Sequence, residues 1–320
     1  MSSVIIRKYQ SNDAVGINAM FTKYLPYVRD EKFWVWLNRL IGGESIAFVA
    51  EYEGRIIGHY AIVPRDMYVN GQLIKAALSV HAFVDPDYRN KVFIFQITQK
   101  LYEYSKKHGI QLIYGFPNVN YRNIQLKIEK WKQVDIFKSF EYDLRETSPS
   151  HSNGVISEKI DGLDFISLYN ISQMEDNESG VILLSDARYW LERYILHPQN
   201  LYEVYALTKE KQHIGYFVTK VYSNNGTNYF HLIDYKLASD GYYDDLLKVF
   251  ERIGRTKQID VLSVWQGDSK FRKTIDTIGF KQTGFDTFLG IKVLDDSLLD
   301  IDSILNINDW RLVMGDSDAF

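Results

Sequence analysis

The densest run of chemically capable side chains lies in SVHAFVDPDYRNKVFIFQI, Ser79–Ile97, and KKHGIQLIYGFPN, Lys106–Asn118. His81 sits on an apolar, strand-like segment and titrates close to neutrality, so it can take or give a proton at physiological pH. Asp85 precedes Pro86, where a carboxylate commonly caps a turn. Arg89 and Lys91 stand where a helical pattern begins. A helix start offers unpaired N–H groups and the positive end of a dipole, which together suit an anion such as a pyrophosphate. Asn118 opens the next helical pattern, a position at which Asn is a favoured N-cap. The chain has no cysteine, which removes disulfides, thiolate metal sites and cysteine nucleophiles together.

These residues need elements to hold them. Ser45–Tyr52 and Arg55–Tyr68 are rich in β-formers and are separated by Glu53-Gly54, a tight-hairpin signal. Asn70-Gly71 signals a second hairpin, leading into a strand over Ile74–Val84. Apolar residues recur at helical spacing from Val92 to His108 (Phe95, Ile97, Leu101, Tyr104), and Gly109 supplies the stop. Gln111–Phe116 reads as a buried strand, a helix follows Asn118 to about Lys130, and Gln133–Leu144 alternates like a closing hairpin. The polar stretch ETSPSHSNGV, Glu146–Val155, is the best linker. Beyond it the same order returns: strands over Leu201–Thr208, His213–Tyr222 and Tyr229–Leu237, a helix over Tyr242–Arg255, a strand over Ile259–Val264, a helix over Lys270–Ile278, and a strand pair over Lys281–Val293. The expected fold is α+β, two tandem domains each with a mixed, mainly antiparallel sheet flanked by helices. Their expected bounds are 1–146, a linker 147–155, and 156–320.

The bulk numbers agree with two soluble domains. The 320 residues are 46% hydrophobic and 24% charged, and no apolar run reaches the roughly 20 residues that cross a bilayer. MSSVIIRKYQ lacks the pattern of a secretion signal, so a cytoplasmic address is expected. A net charge of −4 argues against nucleic acid as a partner. Aromatic residues reach 15%, which suits packed strands and equally suits stacking platforms for a base or sugar ring. Oligomeric state stays open, with a homodimer allowed.

DPDYRNK and IQLIYGFPN resemble motifs A and B of the GNAT family of N-acyltransferases. The resemblance implies acyl-CoA as donor, with no metal, held in a V-shaped slot where one strand bulges and splays from its neighbour. It implies the pyrophosphate over Arg89, Asn90, Lys91, Val92 and Phe93, and the thioester oxygen beside the N–H groups of Phe83 and Val84. Asn118 would bond the pantetheine amides, and Tyr121 would protonate the leaving thiolate. His81 is the first candidate for the base that deprotonates the amine, with Asp85 and His59 as alternatives. One departure stands out: the family's motif carries glycines where this chain has Val92 and Ile94. LASDGYYDD, Leu237–Asp245, has no basic residue after Lys236, which assigns the donor to the first domain.

YWLERYILHP, Tyr189–Pro198, and the Trp…Gly-Asp-Ser-Asp ending are similar to tandem GNAT chains of bacterial surface-glycan pathways. That implies an acceptor amine on a nucleotide-linked deoxy amino sugar, dTDP-linked in the first instance. His231, Asp234, Asp316 and Asp318 are the acceptor candidates in the second domain. On a regular strand His231 and Asp234 point to opposite faces, and the terminal acids read as a solvated tail. Two other readings remain: a Fem-like aminoacyl transferase, and a non-catalytic tandem module that has lost its donor site, for which the missing glycines are the best argument.

Overall fold

The computed structural model describes residues 4–24, 30–39, 45–89, 91–150, 154–160, 180–295, 297 and 300–318. The chain divides into two compact units. The first comprises 1–134, 197–199 and 288–305; the second comprises 135–196, 200–287 and 306–320.

The first unit begins with β1 (Ile5–Lys8), α1 (Asp13–Tyr24) and α2 (Glu31–Arg39), then β2 (Ile46–Tyr52), β3 (Arg55–Pro64), β4 (Met67–Val69), β5 (Gln72–Ile74) and β6 (Ala76–Val84). A 3₁₀ turn (Pro86–Tyr88) leads to α3 (Lys91–Lys107), β7 (Leu112–Gly115) and α4 (Val119–Lys127). The two expected hairpins form where Glu53-Gly54 and Asn70-Gly71 place two successive residues at positive φ, 49° and 75° in the first and 49° and 80° in the second. Only the mirror-image turns that these dipeptides favour match the twist of the flanking strands. The sheet runs β1-β2-β3-β6-β7, antiparallel except for β6 and β7, which α3 joins in parallel. α3 buries Ile97 and Leu101 against this sheet, in a cluster with Ile57, Tyr60, Ile113 and Trp131.

The next strand departs from expectation. Gln133–Leu144 is not a hairpin but one strand, β8 (Lys132–Asp143), and its residues Ser139–Asp143 pair with the second unit's sheet. That unit contains β9 (Val155–Lys159), β10 (Val181–Leu183), α5 (Ala187–Trp190) with a following π turn, β11 (Tyr202–Lys209), β12 (Gln212–Asn224) and β13 (Thr227–Leu237). α6 (Tyr243–Thr256), β14 (Val261–Trp265), α7 (Ser269–Ile278) and β15 (Lys281–Val293) come next. Lys281–Val293 is likewise one strand, and its residues Gly290–Val293 pair antiparallel with β7, closing the first unit's sheet. Alternation identifies a strand but not its partner, which is why the sequence assigns β8 to the first domain up to residue 146 whereas the compact units part after Val134. α8 (Ile301–Leu305) belongs to the first unit, and β16 (Trp310–Arg311) pairs in parallel with β10 in the second.

The terminal segment is not the solvated tail expected of GDSD. Gly315, Asp316 and Ser317 are buried. Tyr189 donates to the carbonyl of Gly315 at 3.1 Å, and the buried Arg193 donates to that of Ser317 at 3.1 Å. Burying the main chain here requires such partners, and the π turn carrying Arg193 supplies one.

Candidate active site

In the first unit β6 and β7 pair for only three residues each, Ala76–Leu78 with Leu112–Tyr114, and no register is shared beyond Leu78. On its other side β6 faces β3 with His59 opposite Phe83 and Ala61 opposite Val80, so His81 and Ala82 together face Tyr60. That is a bulge, and His81 carries its strain at φ 51°, in the left-handed region that costs a non-glycine residue about 1 kcal/mol or more. Bulge and splay together leave a gap in the main-chain ladder between β6 and β7. At its crotch Gly115 meets Ser79: a Cβ on Gly115 would stand 2.9 Å from the Ser79 Cβ.

The bulge divides the residues of β6 between two faces. Toward α1 and α2 lies the His81 ring, with centroids 5.3 Å from Trp34, 5.6 Å from Phe33 and 6.1 Å from Phe21. Phe83 packs on Phe21 at 5.0 Å, and His197 stacks obliquely on Trp36 at 4.3 Å. His59 is fully buried on this face. Its Nδ1 donates to the His81 carbonyl at 3.0 Å, which fixes the tautomer and leaves Nε2 as a bare acceptor with no hydrogen-bond partner among the described residues. Burial holds its pKa down at about 4, so His59 is neutral and props the bulge rather than exchanging protons near pH 7. A cleft of about 570 Å³, lined in part by Lys23, Arg55 and Asp85, opens beside α1.

The opposite face carries phenols. Tyr60 and Ser79 share a hydrogen bond of 2.9 Å. Tyr121 donates to Glu129 Oε1 at 2.8 Å and Tyr102 to Oε2 at 2.7 Å, while Trp131 Nε1 donates to the Tyr102 hydroxyl at 2.7 Å. Burial raises the Glu129 carboxyl above its ordinary range, against the pull of the bonds from Tyr102, Tyr121 and Trp131. Burial, with Tyr60 and Glu129 adding to it, pushes the Tyr121 phenol well up.

The exit of β6 carries the candidate anion contacts. Asp85 is the N-cap of the 3₁₀ turn, its Oδ1 accepting from Asp87 N at 2.9 Å and from the Tyr24 hydroxyl at 2.7 Å. Arg89 Nε donates to the Val84 carbonyl at 3.2 Å, and the guanidinium lies 5.6 Å from the Phe83 ring. α3 starts at Lys91 and has no acidic residue in its first turn. Asn90 lies outside the described residues, Lys91 and Val92 are described in backbone only, and Phe93 is half-buried on the first turn. Asn118 caps α4, its side chain accepting from Tyr121 N at 2.9 Å.

In the second unit, β13 is irregular. Thr219 faces Leu232 and Val218 faces Asp234, so Ile233 is an extra residue. The extra residue puts His231 and Asp234 on the same face, correcting the opposite faces of a regular strand. They sit among different groups. Asp234 accepts from the Tyr194 hydroxyl at 2.5 Å, whereas His231 lies beside the Tyr229 and Tyr222 rings, with burial lowering its pKa to about 4. Asp316 accepts from Val313 N at 2.8 Å in the terminal 3₁₀ turn, and Asp318 is half-buried.

The structure therefore gathers His81, Phe83, Val84, Asp85 and Arg89 along one strand and its exit. Tyr121 and Asn118 share the start of α4. Glu129, Tyr102 and Tyr60 carry no functional signal in the sequence. Glu129 falls between Ile128 and Lys130 at a helix end, where a charge usually faces water, and only the tertiary fold buries it. Among the described residues no group of acids and histidines is arranged to hold a metal.

Residues 5–125 match the family of acetyltransferase (GNAT) domains. No curated protein matches the chain. By structure it is similar to a GCN5-related N-acetyltransferase from Anabaena variabilis, at 13% identity over 92% of this chain and 73% of that one, with a TM-score of 0.69. It is also similar to a conserved protein of unknown function from Enterococcus faecalis, a probable N-acyltransferase, at 9% identity over 92% and 73%, TM-score 0.70. A third similarity is to Saccharomyces cerevisiae N-myristoyltransferase with bound myristoyl-CoA, at 10% identity over 91% and 82%, TM-score 0.65. The fold is GNAT-like, residues 5–125 match a GNAT acetyltransferase domain, and the expected α+β class with mixed sheets is borne out. The family match over residues 5–125 supports an acyl-CoA-dependent N-acyltransferase.

Proposed function

We propose that this chain moves an acyl group from acyl-CoA to the amino group of a nucleotide-linked deoxy amino sugar, dTDP-linked in the first instance, for surface-polysaccharide synthesis. The observation that carries the donor half is the bulge at His81 beside a β6–β7 ladder that ends at Leu78. The pantetheine arm enters this slot, and its pyrophosphate meets the start of α3 with Arg89 beside it. The amine nitrogen attacks the thioester carbon, and the N–H of Val84, which faces away from β3, holds the negative charge that builds on oxygen, whereas the expected N–H of Phe83 lies on the β3 side of the strand. The C–S bond then breaks, leaving an amide and CoA. His81 takes the proton that the amine loses, with the neutral His59 holding the main chain that carries it.

The aromatic-lined face around His81 favours a ring-bearing acceptor. Two measurements test the proposal. Thermal unfolding with CoA at 100 times its Kd should be stabilised by about 3 kcal/mol, and no shift at millimolar CoA would favour a non-catalytic module. A screen of acyl-CoAs crossed with nucleotide-linked amino sugars, read by product mass, fixes both substrates. Ribonuclease-sensitive transfer from aminoacyl-tRNA would replace this reading with the Fem-like one.

A further inference from the structure

We propose that the second unit carries an internal peptide ligand. Residues Trp310–Ser317 occupy it where the first unit would take its acyl donor, and Arg311 fills an arginine site at the head of α6 and α7. The comparison rests on the assignment of the donor to the gap between β6 and β7; the arginine site does not. Both units present the same landmarks in the same order. In the first these are the bulge at His81, the 3₁₀ turn Pro86–Tyr88, the start of α3 and the Asn118 cap of α4. In the second they are the extra residue Ile233, the 3₁₀ turn Asp240–Tyr242, the start of α6 and the Asp268 cap of α7.

Residues 311–315 run between these landmarks. Arg311 Nη2 donates to Asp240 Oδ1 at 2.8 Å and to the Tyr243 hydroxyl at 3.3 Å, and its Nε lies 3.5 Å from Asp268 Oδ2. Tyr243 in turn donates to Asp268 Oδ2 at 2.5 Å, and Lys270 holds the second Asp240 oxygen at 3.0 Å. One guanidinium thus bridges the turn before α6 and the cap of α7, with a charge opposite to that of the pyrophosphate proposed at the start of α3. Its planar fork reaches two carboxylates on different elements, which the compact ammonium of a lysine does not. Further along, Gly315 reaches the bulge. A Cβ there would overlap the Tyr194 hydroxyl and stand 3.2 Å from the Ile233 carbonyl oxygen, so the segment passes too close to β13 to carry a side chain. Leu312 and Met314 between them are buried, and Tyr189 and Arg193 donate to the carbonyls of Gly315 and Ser317. Two acceptor candidates belong to the same arrangement. Asp234 accepts from Tyr194, whose hydroxyl borders Gly315, and Asp316 closes the terminal turn on Val313 N. Both carboxylates therefore serve the internal ligand rather than a sugar.

Hydrogen exchange on the full chain tests the arginine site without any added ligand. Arg311→Lys keeps the charge but does not bridge Asp240 and Asp268, and Gly315→Val crowds the segment without touching Arg311. The amides of Val313, Asp316 and Ser317 are hydrogen-bonded within the terminal turn and report on its seating. Both variants should speed their exchange by at least about 10-fold, while β2, β3 and β6 keep wild-type protection and show that the first unit is folded. Wild-type protection of the three amides in either variant would overturn the inference. Calorimetry with acetyl-CoA then tests the comparison between the units, and a single molecule should bind per wild-type chain. Two molecules per chain would overturn the inference and leave the donor reading standing. Binding of none would overturn the donor reading and the comparison with it, while the exchange result still decides the arginine site.

Discussion

Acidification should destabilise the first unit through one buried imidazole. His59 is fully buried between Phe21 and Trp34, with Nε2 lacking a partner among the described residues and burial holding its pKa at about 4 against 6.5 for a solvated histidine. The folded value lies below the unfolded one, so between pH 6.5 and 4 the unfolded chain binds the proton first and stability rises with pH across that window. The stabilisation is present in full above pH 6.5 and is lost as pH falls toward 4. A shift of roughly 2.5 units at 1.36 kcal/mol each corresponds to about 3 kcal/mol. Urea unfolding from about pH 7.5 to about pH 4 should show this slope, and His59→Phe, which keeps a ring in the aromatic box, should flatten it by that amount. His231 obeys the same rule in the second unit and supplies a residual slope to both proteins. If wild type and His59→Phe lost stability in parallel as the pH fell, the imidazole would not be neutral and buried, and its assignment as the prop of the bulge would fail.

Two further substitutions test the geometry. Gly115→Ala would bring a Cβ to 2.9 Å from that of Ser79, between two strands that cannot both yield, so it should cost about 1–3 kcal/mol and weaken acyl-CoA binding by narrowing the slot. Wild-type affinity by calorimetry would refute the placement of the slot. Tyr194→Phe removes the donor to buried Asp234 and should cost about 2 kcal/mol in urea unfolding with acyl-CoA affinity unchanged. A changed affinity with no loss of stability would show that this pair serves the ligand rather than the core.

Much of the first unit is legible in the sequence because its signals are local. Asn-Gly and Glu-Gly turns fix hairpins, the spacing of Ile97 and Leu101 fixes α3, and Asn118 fixes the start of α4 through its own hydrogen bond to the backbone. α1 is harder to see although Ala14, Ile17, Met20 and Phe21 repeat at helical spacing, because Gly16 and polar Asn18 interrupt the pattern. The site is legible only in part. His81 can be chosen by type and position, but not its left-handed backbone, which depends on Tyr60 across the ladder and on His59 beneath it. Glu129 cannot be chosen at all. Its burial depends on Tyr102, Tyr121 and Trp131 converging from three segments, a tertiary fact with no trace in spacing.

The proposal that the donor binds the first unit draws on what each unit does with the same local geometry. β13 and β14 also pair in parallel for three residues, Tyr229–His231 with Val261–Ser263, and β13 also carries an extra residue just beyond, at Ile233. A splayed pair of strands is therefore present twice. The two differ in the segments beyond the splay. Past the irregularity in β13, Tyr235 stacks on buried Phe271 at 5.2 Å and meets Tyr243 at 5.8 Å, so rings occupy the space beside the strand end. The helix after β13 begins with Asp244 and Asp245 in its first turn, with Asp240 just before it. Carboxylates at a helix start satisfy the dipole that a pyrophosphate would otherwise meet, and they repel it. α3 begins with no acid in its first turn and with Arg89 directed back along β6, and on β6 the Ser79 hydroxyl bonds that of Tyr60. Motif glycines are absent from α3, so the proposed anion site there would rest on its N–H groups, its dipole and its cations. Those three remain in the first unit, and the acids displace them in the second.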